Sequence, residues 1–332
     1  MVAYIFFTGL ILSLILLPLI KSWNFHYFFI FCLFLITSFL LSESNVLGDI
    51  IVYRDAFNIS NKKDLYFEPG FVFFLDLVDQ LNFSLVYSIT MALSATLTFV
   101  ALSFFCPRKD FFSTFIFIAL FANLFTLAWR QALIMPGVTF CFCFFVLYSF
   151  RKIQFTNLTV AGAIISSSFH SAGLVTLIGA IYRYGYVRYI GAILLIFFVV
   201  YIPDWSDLFA ILISVRFIGS ENYIDDTTYS STRTFLVFCK FLALALIASF
   251  AWKSIKETTS SPRVLAFLLL LKCILAIAAI FFVSAAWGRM LGILTFVDFV
   301  VLSHTLARFK LISFGYLLVS FAASTFFNPF YQ

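Results

Sequence analysis

The chain is a near-continuous succession of apolar runs, each about 20 residues long. Almost nothing in them could face water. The runs do not alternate polar and apolar residues, so they read as α-helices in a bilayer and not as strands of a membrane β-barrel. Charged residues make up 11% of the chain, against about 25% in soluble domains. The expected class is an all-α polytopic membrane protein with about ten full transmembrane helices. No internal repeat or low-complexity linker interrupts it, so 1–332 reads as one integral membrane domain.

The apolar runs cover 2–20, 25–41, 84–105, 111–128, 132–150, 189–203, 234–252, 264–286, 290–306 and 311–327. The first has no basic segment before it and no small-residue cleavage site after it, so it is expected to be a retained helix. The stretch 157–181 is different, because counting it as one crossing inverts everything after it. Arg183, Arg188, Lys253, Lys256, Arg263, Arg308 and Lys310 would then face outward, against the positive-inside rule.

If 157–181 enters the membrane and returns, those residues face the cytoplasm. That face then holds twelve of the 21 Lys and Arg, and the outer face twelve of the 15 acids. The inference is a broken helical hairpin whose tip is Ser166-Ser167-Ser168-Phe169-His170-Ser171. Its hydroxyls can satisfy backbone groups freed by the break. The same bias accounts for the net charge of +6 without a nucleic-acid partner.

This topology gathers a particular set of residues on the outer side. It includes the polar loops 42–83 and 204–233, Trp129-Arg130-Gln131, the hairpin tip and Trp287-Gly288-Arg289. Arg130 and Arg289 stand in connections of almost no length. Charges near membrane depth are costly and usually face a protein interior or a wet cavity. Arginine suits phosphate, because its planar fork donates paired hydrogen bonds and stays charged. The plainer alternative is an arginine snorkelling to head groups. Arg233 enters a helix after the second polar loop. His170, at the helix break, suits acid–base work or donation to a phosphate oxygen.

The loop 42–83 carries acids. Glu68 precedes Pro69-Gly70, which open an amphipathic segment expected to lie on the outer interface. Asp76 and Asp79 are expected on one face of it, with Phe73, Phe74 and Leu77 on the other. Glu68 could cap that helix or serve a site. Asp49 and Tyr53 share a face if their segment is helical. Lys240, Lys272 and Asp298 fall inside apolar runs and could pair with one another.

No glycine-rich phosphate loop, GxSxG elbow or DxD pair is present. The six cysteines lie in or at the ends of apolar runs and show no metal spacing. Neither a metal nor a cofactor is expected.

The order GDIIVYRDAF, EPGFVFFLDLV, Arg130-Gln131-Ala132, SSSFHSAGLVTL and WGRMLGIL resembles the EpsG-like and Wzy-type polysaccharide polymerases of bacterial envelopes. The matching positions are Gly48, Asp49 and Tyr53; Glu68, Gly70 and Phe71; Arg130 with Ala132; His170; and Arg289. The family's frequent Arg before Gly-Asp is missing here, where Ser44 to Leu47 stand.

The resemblance implies a type C glycosyltransferase-like fold in a bacterial inner membrane, with the active site facing the periplasm. It implies a metal-independent glycosyltransferase that joins undecaprenyl-diphosphate-linked repeat units of O-antigen, capsule or exopolysaccharide. A chain-length regulator would be a possible partner. In that scheme Arg130, Arg289 and Arg233 bind the diphosphate. His170 and Glu68 activate or orient the acceptor, and Asp49 positions sugar or holds an arginine. Two other classes compete: a flippase or transporter of the same lipids, which calls for two related halves, and a membrane acyltransferase acting on glycans.

Overall fold

The computed structural model of the chain describes residues 22–43, 48–59, 67–103, 129–147, 161–162, 164–170, 173, 231–258, 266, 269–270, 272, 298 and 301. Among these residues the regular structure is entirely helical. The six longest helices are α1 (Trp23–Glu43), α2 (Gly48–Asn58), α3 (Pro69–Leu77), α4 (Phe83–Ser103), α5 (Trp129–Leu147) and α6 (Ser231–Thr258). The apolar runs 2–20, 111–128, 189–203 and 311–327, and the return arm of the expected hairpin apart from Gly173, lie outside the described residues, as does most of 264–286 and 290–306.

α1 and α4 form the scaffold, and both are long and apolar enough to cross a membrane. α1 packs along α4, and α4 packs in turn on α5. Small residues make the close approach possible. The buried face of α4 includes Ser84, Ser88, Ala92, Ser94, Ala95 and Thr98. In a bilayer such residues bring helix backbones together, where van der Waals contact replaces the hydrophobic effect as the cohesive force. Two of the hydroxyls turn back onto their own helix: Ser88 donates to the Ser84 carbonyl, and Thr98 to the Ser94 carbonyl at 2.7 Å. No hydroxyl in such a pairing meets lipid unsatisfied. The opposite faces are apolar and open. Phe25 and Phe28 on α1 are each 66% exposed, as a lipid-facing surface should be.

Two polar contacts mark the two ends of the α1–α4 pair. At one end the hydroxyls of Tyr27 and Ser103 hydrogen-bond at 2.9 Å. At the other, Arg54 of α2 donates to the Ser42 carbonyl and lies over the Phe83 ring, 5.8 Å from its centroid. This second end is the side assigned to the outer face by the charge pattern, and α2 and α3 both gather there.

α3 differs from expectation in one respect. Phe71 and Leu75 are its buried residues, and Phe74 turns inward with them, 5.8 Å from Trp129. Phe73 and Leu77 are 68% and 73% exposed, on the same side as the exposed Asp76. Phe74 therefore does not share a face with Phe73 and Leu77, and Asp76 is not opposed to them. A rotation of 100° per residue accounts for this, since positions 71, 74 and 75 cluster while 73, 76 and 77 fall opposite. Asp79 stands past the helix, in the exposed turn that follows Leu77.

α5 begins earlier than its apolar run suggests. Trp129, Arg130 and Gln131 form its first turn and do not sit in a connection. The helix also contains Pro136, which withholds one backbone donor from the ladder.

Candidate functional site

Trp129 anchors the site. Its indole nitrogen donates to the Thr90 hydroxyl at 2.9 Å, fixing the start of α5 against α4. The ring is 1% exposed and lies edge-on to Tyr53, Phe71, Phe74, Phe83 and Tyr87, at centroid distances of 5.3 to 5.8 Å. Edge-to-face pairs of this kind contribute about 0.5–1.5 kcal/mol each beyond area burial. Four helices, α2 to α5, meet through this one side chain. The next residue in the chain is Arg130, so its position is set by the cluster.

Arg130 is 5% exposed. Its Nη1 pairs with Glu68 Oε2, and its Nε donates to the Tyr53 hydroxyl at 3.3 Å. Its guanidinium lies over the Phe67 ring at 4.6 Å from the centroid and near Phe71 at 6.0 Å. Among the described residues Nη2 has no hydrogen-bond partner. A buried arginine needs this combination of anion, acceptor and π-face, because desolvation otherwise makes the charge untenable.

Glu68 reaches Arg130 because it is released from capping. It occupies the N-cap position of α3 with extended backbone (φ −62°, ψ 143°), yet its side chain makes no cap hydrogen bond. Its backbone carbonyl accepts from Phe71 N–H and Val72 N–H, both at 3.0 Å. Pro69 follows at the first helical position, where its fixed φ suits the helix and its missing N–H costs nothing.

The turn at 164–173, expected from the sequence to be a hairpin tip, lies beside this pair. The helical turn 164–169 ends before His170, whose N–H donates to the Ser166 carbonyl at 3.0 Å. Ser167 and Ser168 donate to the carbonyls of Ile164 and Ile165 at 2.9 and 2.7 Å. Gly173 N–H then closes a turn onto the His170 carbonyl at 2.8 Å. A Cβ on Gly173 would stand 2.6 Å from Ser166 Cβ, so the chain folds back closely over itself after His170.

A Cβ on Gly70 would lie 2.7 Å from the Ser168 carbonyl oxygen. The entry to α3 therefore sits directly on the tip. Glu68 is two residues before that contact and His170 two residues after it. Both are 9% exposed. Phe74 and Phe169 extend the same joint, with centroids 6.4 Å apart.

Of the residues singled out from sequence, Glu68, Arg130 and His170 belong to one neighbourhood. Asp49 is in the first turn of α2 and Arg233 in the first turn of α6; their side chains, and all of Arg289, lie outside the described residues. Lys272 and Asp298 do pair, in a second buried ion pair. Sequence reasoning missed the roles of Phe67, Thr90 and Trp129, and the Tyr53 hydroxyl as an Arg130 partner. The available signal was the Phe67-Glu68 sequence, an aromatic beside an acid.

Chemically, the arrangement offers an anion-binding guanidinium, a carboxylate and an imidazole at one end of the α1–α4 pair. Searches among curated proteins and among solved structures return no match. A family model, that of the EpsG family, matches residues 26–331. The chain belongs to the EpsG family, and with it to polysaccharide biosynthesis at a membrane.

Proposed function

We propose that the protein is a polysaccharide polymerase. It transfers a growing glycan from undecaprenyl diphosphate onto the next lipid-linked repeat unit, at the periplasmic or outer face of the bacterial inner membrane. The observation that carries this reading is the buried Arg130, held by Glu68 and Tyr53 beside the His170 turn.

In the reaction an acceptor hydroxyl attacks the anomeric carbon of the donor sugar. The bond from that carbon to the diphosphate oxygen breaks, and undecaprenyl diphosphate leaves. The leaving group gains negative charge as the bond breaks, so a fixed cation stabilises the transition state more than the ground state. Arg130 keeps its Nη2 edge for a diphosphate oxygen. Arg289 and Arg233 complete the clamp from the same side of the membrane. The acceptor proton passes to Glu68 or His170, and Asp49 orients the sugar. Glu68, Arg130 and His170 gather in one neighbourhood at one end of the α1–α4 pair, which favours a surface reaction over carriage through the bilayer.

The test is chain length in cells. A host lacking this protein is complemented with wild type, Arg130→Ala, His170→Ala or Arg289→Ala, and its surface glycan is separated by size. Long chains should return with wild type and fail with each variant at equal protein level, leaving single repeat units. Normal ladders in all three variants would sink the site. Precursor accumulating on the cytoplasmic side in the absence of the protein would point instead to a carrier.

A further inference from the structure

Gln131 follows Arg130 in the first turn of α5, and nothing among the described residues uses its side chain. It is fully buried, and among the described residues neither its Nε2 nor its Oε1 has a hydrogen-bond partner. Its neighbours Trp129, Arg130 and Ala132 are 1%, 5% and 0% exposed. This turn is enclosed, away from lipid and head groups that could serve the amide. Folded proteins seldom leave a buried amide unpaired at both ends, since it has surrendered water and received nothing. A methionine of similar volume would fill the place without that loss. Local folding therefore supplies no reason for a glutamine here, and a ligand does.

The amide also specifies the ligand's chemistry. It offers two N–H donors and a carbonyl acceptor. A phosphate oxygen only accepts and would leave Oε1 unmet. A polyprenyl chain offers neither function. A sugar hydroxyl both donates and accepts, and a pair of hydroxyls on one ring answers both ends of the amide.

We propose that Gln131 is a specificity-determining residue that hydrogen-bonds ring hydroxyls of the sugar carried on the diphosphate at Arg130. This rests on the polymerase reading above. Three rotatable side-chain bonds let the amide swing toward the ligand while α5 stays in place. Gln131 takes no part in proton transfer, because an amide does not titrate near neutral pH. Its contribution is to select among donor sugars, since a site built for a hydroxyl rejects an analogue lacking it.

The test uses the purified full-length protein in proteoliposomes, with lipid-linked repeat units extracted from cells that lack it. Gln131→Met is compared with wild type in melting temperature, KM and kcat. The expected result is an unchanged or higher melting temperature with kcat/KM reduced roughly 10- to 100-fold, mostly through KM, as loss of one or two ligand hydrogen bonds implies. Wild-type kinetics in Gln131→Met would overturn the proposal and leave Gln131 as core filler. A lowered melting temperature, or failure to fold, would also overturn it, by making the amide structural. If wild type itself extends no chains, the polymerase reading fails; if wild type works and Gln131→Met matches it, only the assignment of Gln131 fails.

Discussion

Glu68 stands at the N-cap of α3 but gives its carboxylate to Arg130, 62 residues further along the chain. A cap position normally spends its side chain on the helix's free N–H groups. Here the helix is started by Pro69, and the acid serves a buried cation. The pair joins the polar loop between α2 and α3 to the first turn of α5.

Breaking that pair from one side should be costly. Glu68→Gln or Arg130→Gln leaves an uncompensated group in a buried setting, for a loss of about 3–5 kcal/mol. Replacing both residues by apolar ones of similar volume should recover much of that stability while abolishing glycan extension. Thermal unfolding of the two single variants and the double variant, in detergent, checks the pattern. Additive losses would show that the two side chains do not depend on each other.

Tyr53→Phe keeps the ring contacts to Phe67, Phe71 and Trp129 and removes only the acceptor for Arg130 Nε. The expected cost is about 1 kcal/mol in stability, with a larger proportional fall in kcat as the guanidinium loses its second tether. Steady-state kinetics beside a melting curve separates the two effects.

Close approach makes Gly70 sensitive. An added methyl at 2.7 Å from the Ser168 carbonyl must push α3 away from the tip, for about 1–3 kcal/mol. Because Glu68 and His170 flank that contact, Gly70→Ala should lower activity more than stability. Gly137→Ala, whose Cβ would stand 3.4 Å from Ser166 Oγ, makes an ordinary contact and serves as the comparison. Equal effects at the two positions would argue against the joint.

The Lys272–Asp298 pair should follow the same rule as Arg130–Glu68. Lys272→Met alone is expected to destabilise by about 3–5 kcal/mol, and Lys272→Met with Asp298→Leu by much less. Unfolding measurements on the two variants check this. A single variant as stable as wild type would contradict the buried pairing.

The scaffold was largely legible in the sequence, since continuous apolar runs leave α1 and α4 few alternatives in a bilayer. The helix break at His170 was legible as well, through the serine run that precedes it and the charge count of the flanking loops; the return arm of the expected hairpin lies outside the described residues. Two features were not. The start of α5 lay hidden because Trp129-Arg130-Gln131 reads as a polar connection. It is helical because the Trp129 indole is held by Thr90 and five aromatic rings, contacts no local pattern reveals. The partnership of Glu68 and Arg130 was equally hidden, because both were assigned to different parts of a substrate. Only the packing of α3 against α5 brings them within one hydrogen bond. On α3 the helical periodicity is present in the sequence, but acids and aromatics do not divide along it. The face that matters there divides a protein core from a bilayer interface, and Asp76 shares the outer face with Phe73 and Leu77.

The most direct measurement is glycan extension by the purified protein in proteoliposomes, supplied with lipid-linked repeat units and no nucleotide sugar. Wild type should form long chains and release undecaprenyl diphosphate in proportion, and Arg130→Gln should do neither when the same amount of folded protein is reconstituted. Folded wild-type protein that leaves the repeat units unjoined, or Arg130→Gln that joins them at an undiminished rate, would contradict the account.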